Sequence, residues 1–203
     1  MDIPLLHMTL PEIIRSVGYL GIFLIVFVES GVPFGVVLPL PGDTLLFSAG
    51  LLAAVGTFSL IPLMVTVFLG ALFGASAGYW FGTTFGPKLF TKEDAWFMNP
   101  RTLARAEEFF AKYGRRALIF ARFLPVLRTL VPVAAGIGRM EYGTFLRWNA
   151  LGALLWTLLV TLLGYYLGQL IPNVDRYLLP ALIVIIVLSS LGVIREVLAA
   201  RGR

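Results

Sequence analysis

The 203-residue sequence contains no cysteine, a single histidine (His7) and only 13% charged residues. Without cysteine there are no disulfides, thiol nucleophiles or thiolate ligands, and one histidine builds neither a zinc cluster nor a phosphohistidine relay. No metal site and no cofactor are therefore expected, and the chain is not expected to be an enzyme. A surplus of five positive charges, from 16 Lys plus Arg against 11 Asp plus Glu, is not arranged as a basic stripe interleaved with aromatics, so no nucleic-acid partner is expected either. The N-terminus places Asp2, His7, Glu12 and Arg15 before its first apolar run. It lacks a basic region followed by a small-residue cleavage site and reads as a retained membrane segment.

What the chain has in excess is apolar surface: 59% of its residues are hydrophobic and its mean hydropathy is +0.90. A soluble domain carries roughly 25% charged residues, about twice the share found here. The sequence is that of an integral membrane protein.

The apolar runs differ in length, which matters because a spanning helix needs about 20 apolar residues. Val17 to Val28 supplies only 12. From Glu29 to Asp43 the chain reads ESGVPFGVVLPLPGD, where Pro33, Pro39 and Pro41 remove backbone donors and Gly31, Gly35 and Gly42 weaken a helix. A straight span is not expected there. Residues 61–86 are long enough to cross, and within them Gly70, Gly74, Gly78 and Gly82 recur at every fourth position, on one helix face where another backbone can approach closely. That face could pack within one chain or between copies, so oligomers are left open.

Residues 87–117 carry seven basic and four acidic side chains. Asn99-Pro100 forms an N-cap and first-turn pair, Leu103, Ala106, Phe110 and Tyr113 share a face, and Gly114 supplies a stop, which together describe an amphipathic helix on the membrane surface. Residues 117–140 are apolar again but are interrupted by Pro125, Pro132, Gly136 and Gly138 and carry Arg122 and Arg128. Residues 144–168 and 177–194 complete two further spans.

The two broken segments resemble each other: Pro41-Gly42-Asp43-Thr44-Leu45 followed by Ala49-Gly50, and Pro125 followed by Arg128-Thr129-Leu130 and Ala135-Gly136. Each precedes a long span, and the basic stretch lies between the halves. The pattern is that of secondary transporters built from inverted repeats, in which paired Gly/Pro-interrupted segments mark the binding site. The expected fold is an all-α membrane protein with an inverted repeat, two opposed re-entrant helical hairpins, three to four transmembrane helices and an amphipathic surface helix. A single membrane domain, 1–203, would comprise a first half at 16–86 (re-entrant about 30–58, span 61–86), a connector at 87–117, a second half at 118–168 (re-entrant 118–140, span 144–168) and a last span at 177–194. A plain bundle of five or six kinked spans is the alternative. With 87–117 and both termini in the cytoplasm, 13 of the 16 basic residues lie inside, Arg176 lies outside beside Asp175, and only Arg122 and Arg128 stay within apolar sequence.

Glu29, Asp43, Arg122 and Arg128 are thus the charges left in the membrane, and their formal sum is zero. One ionised side chain at mid-bilayer costs roughly 2.5 to 3.5 kcal/mol on insertion scales, so four unpaired ones would cost on the order of 10 kcal/mol. They are expected to face each other or a wet cavity. Glu29 could instead simply end the first helix at the interface, and Asp43 could cap the helix that follows it. Asn149, five residues into its span, is read first as an interhelical hydrogen-bonding group and second as a substrate contact. Trp148, Trp156, Tyr165 and Tyr166 are read as core or interface aromatics.

FVESGVPFGVVLPLPGD, AGLLA, RFLPVLRTLVPVAAG and GRMEYGTFLRWNALGALLW together resemble the DedA family of bacterial inner-membrane proteins, which carries the SNARE-associated or VTT-type domain. The resemblance covers about residues 16–168, and the Arg-x-x-Pro-x-x-Arg-Thr-x-x-Pro-x-x-Ala-Gly pattern at 122–136 is its most specific part. It implies two opposed re-entrant hairpins and transbilayer movement of phospholipid-type substrates, especially recycling of the carrier undecaprenyl phosphate. Some members are associated with phosphatidylethanolamine or general phospholipid movement. The family's embedded acidic and basic positions correspond to Glu29, Asp43, Arg122 and Arg128; the residue after Pro-Gly is often Glu in the family, and Asp43 is one methylene shorter.

Under that implication Arg122 and Arg128, with Thr129 beside them, would hold the phosphate, since guanidinium matches phosphate oxygens bidentately. Glu29 and Asp43 would switch the site by proton binding, and protons would be a second partner beside the lipid-linked phosphate and the surrounding membrane lipids. Pro33, Pro39, Pro41, Gly42, Pro125, Pro132, Gly136 and Asn149 would support the breaks in the helices. Three rivals are weighed: a proton-coupled exporter of small ions or drugs, a lipid phosphatase, and a non-transporting organiser of envelope proteins. The phosphatase lacks its histidines, and the organiser has no use for four embedded charges.

Overall fold

A computed structural model describes residues 10–31, 42–89, 100–124 and 127–170 of the chain. Every regular element among them is helical: α1 (Leu10–Gly31), α2 (Gly42–Ala54), α3 (Leu60–Leu89), α4 (Pro100–Tyr113), α5 (Ala117–Phe120), α6 (Leu127–Ile137) and α7 (Tyr142–Leu170). Two short 3-10 turns, Gly114–Arg116 and Ala121–Phe123, flank α5. The expected span at 177–194, the Asp175-Arg176 loop and His7 lie outside the described residues, as do Pro33, Pro39, Pro41 and Pro125.

Helix length separates two classes of element. α3 and α7, with 30 and 29 residues, reach about 45 Å at 1.5 Å per residue and are long and apolar enough to cross a bilayer. α2 and α6, with 13 and 11 residues, reach less than about 20 Å and cannot cross a roughly 30 Å hydrocarbon core alone. α1 is longer than its 12-residue apolar run: it starts at Leu10 and continues through Glu29 to Gly31, so Glu29 lies inside the helix rather than ending it. α4 begins at Pro100 and stops at Tyr113, where Gly114 takes φ +56, a backbone region that favours glycine. Instead of lying wholly on the surface, α4 also packs on α6 through half-buried Phe110.

The long helices form the centre, and each short helix lies along the long helix of the opposite half: α2 on α7 and α6 on α3. One apolar cluster joins α1, α2, α3 and α7 through Val26, Leu46, Leu63, Val67 and Trp156. A second joins α3, α5, α6 and α7 through Tyr79, Leu118, Val131 and Phe145. Outward faces are apolar too, with Leu20 and Leu24 on α1, Ile61 and Phe73 on α3, and Leu159 and Leu163 on α7 all exposed. Meanwhile Ser30, Ser48, Thr129, Asn149, Thr157 and Thr161 are buried. An apolar exterior around polar interior groups is the arrangement of a protein solvated by lipid.

The seams depend on glycine. Gly50 on α2 meets Gly164 on α7, where a methyl group added to Gly50 would stand 2.5 Å from the Thr161 carbonyl oxygen. Gly136 on α6 lies against the Tyr79 carbonyl of α3, with Gly82 facing Val133 in return. The Ala-Gly pairs of the internal repeat therefore do the same work in both halves, and the four-glycine face of α3 packs within the chain, Gly70 and Gly74 against α1 and Gly82 against α6. Gly50→Val or Gly136→Val should each destabilise the fold by at least about 1–3 kcal/mol, because the side chain meets backbone that cannot rotate away. A drop in detergent-solubilised melting temperature and in monodisperse yield would register it; unchanged melting would contradict these seams.

Candidate functional site

The site forms where the starts of the two short helices meet the end of α1. Asp43 is the second residue of α2 and Arg128 the second residue of α6, the same place in each copy of the repeat. They form an ion pair, Arg128 Nη1 donating to Asp43 Oδ1 at 2.7 Å. The other terminal nitrogen, Nη2, donates to Glu29 Oε1 from the last turns of α1. One guanidinium thus joins three helices, and both embedded acids converge on it.

Local sequence dictates this placement. The chain turns extended at Leu124 (φ −117°, ψ 109°) before Pro125, and the Arg128 amide donates to the Leu124 carbonyl at 3.0 Å as α6 starts. Pro132 then sits inside α6, one turn beyond Arg128, and its ring nitrogen cannot donate to the Arg128 carbonyl. The N-terminal ends of α2 and α6 each present the equivalent of about half a positive charge, a setting that favours anions.

Burial divides the two acids. The Arg128 and Glu29 side chains are 9% and 7% exposed, whereas that of Asp43 is 47% exposed. Glu29 is sealed in and Asp43 is the accessible side of the site. The face of Trp156, on α7, lies 5.8 Å from the Arg128 guanidinium carbon, within cation–π range. The Nε of Arg128 is buried with no hydrogen-bonding partner.

Arg122 occupies a different place. It is 4% exposed in the 3-10 turn after α5, and its Nη2 donates to the Ala71 carbonyl of α3 at 2.9 Å and to Asn149 Oδ1 of α7 at 2.7 Å. Its Cγ lies against Gly152, which leaves room for the side chain to cross α7. Of the four embedded charges, Glu29, Asp43 and Arg128 are therefore brought together directly. Arg122 pins three elements together, and Asn149 meets the interhelical role expected of it. Thr129 is buried beside Arg128 in sequence, and Gly136 lies at the α3 seam rather than at the charges. No His/Cys/Asp/Glu group suited to a metal occurs among the described residues. Trp156 was not foreseen as a site residue; its position seven residues after Asn149, two helical turns on, is the signal that would have placed it near the charges.

A VTT domain matches residues 40–166. The chain belongs to the DedA family. It is 40% identical over 195 residues to Protein DedA of Escherichia coli K12, covering 93% of this chain and 87% of that one. A protein of Mycobacterium leprae described as an uncharacterized membrane protein is 40% identical over 167 residues, covering 82% and 73%. More distant is an alkaline phosphatase-like protein of Lactococcus lactis, 25% identical over 164 residues, covering 78% and 74%. No solved structure matches. DedA-family membership makes this a membrane protein, in agreement with its apolar exterior.

Removing one member of a buried pair leaves an uncompensated charge, which costs about 3–5 kcal/mol, whereas an exposed partner contributes about 0–1 kcal/mol. Arg128→Ala should therefore lower the melting temperature sharply, the added change Glu29→Gln should recover most of the loss, and Asp43→Asn alone should alter it little. Thermal denaturation of the three variants in one detergent checks the order; equal effects of the two acids would contradict the division between them.

Proposed function

We propose that this DedA-family protein moves a lipid-linked phosphate, undecaprenyl phosphate in particular, across the bacterial cytoplasmic membrane. The observation that carries the reading is Arg128, held between two carboxylates at the meeting point of two helix N-termini. Such a site is built for an anion, and in the resting arrangement its own acids fill that role. A phosphate head group must displace them, and it needs no chemistry beyond binding and release. With no cysteine and His7 as the sole histidine, the chain has no thiol or paired histidines for phosphoryl chemistry, which favours the translocator reading over a phosphatase such as the name of the Lactococcus lactis relative suggests.

In this reading α2 and α6 are the returning legs of two re-entrant hairpins entering from opposite sides, and the termini and the 87–117 connector are cytoplasmic. Arg128 binds the head group, and Arg122 holds the surrounding helices and adds positive potential. Protonation of Asp43, on the accessible side, releases one bond to Arg128; Glu29 releases the other. Because the neutral acids are the ones that leave Arg128 available, acid on the face to which Asp43 opens promotes phosphate capture, and re-ionisation promotes discharge. Proton movement and head-group movement are thereby linked.

The test is movement of undecaprenyl phosphate between leaflets of proteoliposomes with and without a pH gradient. Wild-type protein is expected to accelerate movement in a gradient-dependent way, Arg128→Ala to slow it at least tenfold, Arg128→Lys to fall between, and Asp43→Asn to lose the gradient response. Full transport by a folded Arg128→Ala variant would sink the head-group assignment, and ordinary phospholipids moving at the same rate without a gradient would make the protein a scramblase.

A further inference from the structure

Among the described residues, both hydrogen bonds of the Arg128 guanidinium go to titratable groups, Glu29 and Asp43, and its buried Nε makes none. A carboxyl group that binds a proton loses the charge that makes such bonds strong, so both weaken as the acids are neutralised. The flexible arginine side chain is then no longer held by charge. Arg122 adds to that tendency, because it is close enough to repel Arg128 and its own bonds go to the neutral oxygens of Ala71 and Asn149.

The other helices packed around the site supply no replacement charge. α3 has no acidic residue. Glu108 and Lys112 of α4 are exposed, as is Arg147, the single charged residue of α7. The charged groups that face Arg128 are thus Glu29 from α1, Asp43 from α2 and Arg122 from the turn before α6.

What remains at the guanidinium is the indole of Trp156, with the Arg128 Cζ 5.8 Å from its centre and over its face. Tryptophan is the strongest aromatic partner for a cation, and the attraction is to the ring quadrupole, which carries no titrating proton. An aromatic face engages the charge without needing any of the five N–H donors, so a seated guanidinium can still bind an anion. The seat itself is fixed. Trp156 is 5% exposed and belongs to the apolar cluster that includes Leu46 of α2 and Leu63 and Val67 of α3. Seven residues earlier, about 10 Å along the same helix, Asn149 accepts from Arg122. Helix α7 therefore touches both embedded arginines through side chains that do not titrate, while the acids come from α1 and α2.

We propose that Trp156 is a positioning residue for Arg128, an uncharged seat that keeps the guanidinium in place while Glu29 and Asp43 are neutral. The seat deepens the lipid-phosphate reading above: it presents Arg128 to the incoming head group in the position the acids leave. The indole–guanidinium contact itself does not depend on which anion arrives.

Emission from Trp156 tests the contact without any lipid substrate. In full-length protein in amphipol, with Trp80, Trp96 and Trp148 replaced by Phe, Trp156 is the sole tryptophan. In the Glu29→Gln/Asp43→Asn background both acids are uncharged at every pH, and Arg128→Met is expected to shift the Trp156 emission maximum there, because a cation has left the ring. No shift would mean that the guanidinium abandons the indole once the acids are neutral, and would overturn the proposal. Since Trp156 is retained, this measurement stands even where its replacement does not fold. In proteoliposomes, Trp156→Leu should slow undecaprenyl phosphate movement by about fivefold or more, with Trp156→Phe between it and wild type. The loss should be greatest when the face to which Asp43 opens is acidic; an equal loss at every pH would mark a merely structural side chain and overturn the assignment. An emission shift alongside absent undecaprenyl phosphate movement by the wild type would keep the Trp156 seat and reject the carrier reading.

Discussion

The cost of holding a charge in a low-dielectric interior organises this molecule. Arg128 cannot be buried alone, so it recruits Glu29 from α1 and Asp43 from α2, and those bonds draw together three helices distant in sequence. Arg122 obeys the same constraint by another route, using a backbone carbonyl of α3 and the amide oxygen of Asn149. Both arginines therefore bind the two halves to each other. The result is a fold whose stability and whose candidate site depend on the same groups.

Charge pairing needs close helices, and the glycine seams provide them. α2 crosses α7 at Gly50 and Gly164, and α6 crosses α3 at Gly136 and Gly82. In lipid, where no hydrophobic difference drives helices together, such contacts and interhelical hydrogen bonds carry association. Because each short helix is packed on the long helix of the opposite half, neither half completes its own core. The N-termini of α2 and α6 are thereby held at one locus rather than at separate surfaces.

Much of this was legible in the sequence, and the reasons are physical. Period-four glycines in an apolar run have few other uses, which is why the α3 face was readable; the Ala-Gly pairs were readable as a repeat, and their place at the two seams comes from the structure. Zero net charge among Glu29, Asp43, Arg122 and Arg128 forecast pairing, but not which pairs. Asp43 and Arg128 hold the same repeat position, yet nothing in linear spacing says that Glu29 would join them and that Arg122 would turn to Asn149. That choice depends on which side of the helix break each arginine falls: Arg122 lies in a 3-10 turn before Pro125, and Arg128 lies in the first turn of the helix after it. Nor was the length of α1 readable from its apolar run, because helix continues through polar residues on both sides of that run.

The charges at the site also constrain what it can hold. Two helix N-termini contribute about half a positive charge each, the α1 C-terminus about half a negative one, and Arg128 a full positive charge. With Glu29 and Asp43 both ionised the group is close to neutral, which is the state a buried assembly tolerates at rest. An added phosphate would bring surplus negative charge, so it enters only as a carboxylate is neutralised or withdrawn. Asp43 is the more accessible acid, since its side chain is nearly half exposed while Glu29 is sealed behind the guanidinium. In the proposed translocation that asymmetry would set the order of events: the outer acid would yield first, the phosphate would take its place on Nη1, and the inner acid would yield only with the anion already seated. Two equally exposed acids would impose no such order on the proposed exchange.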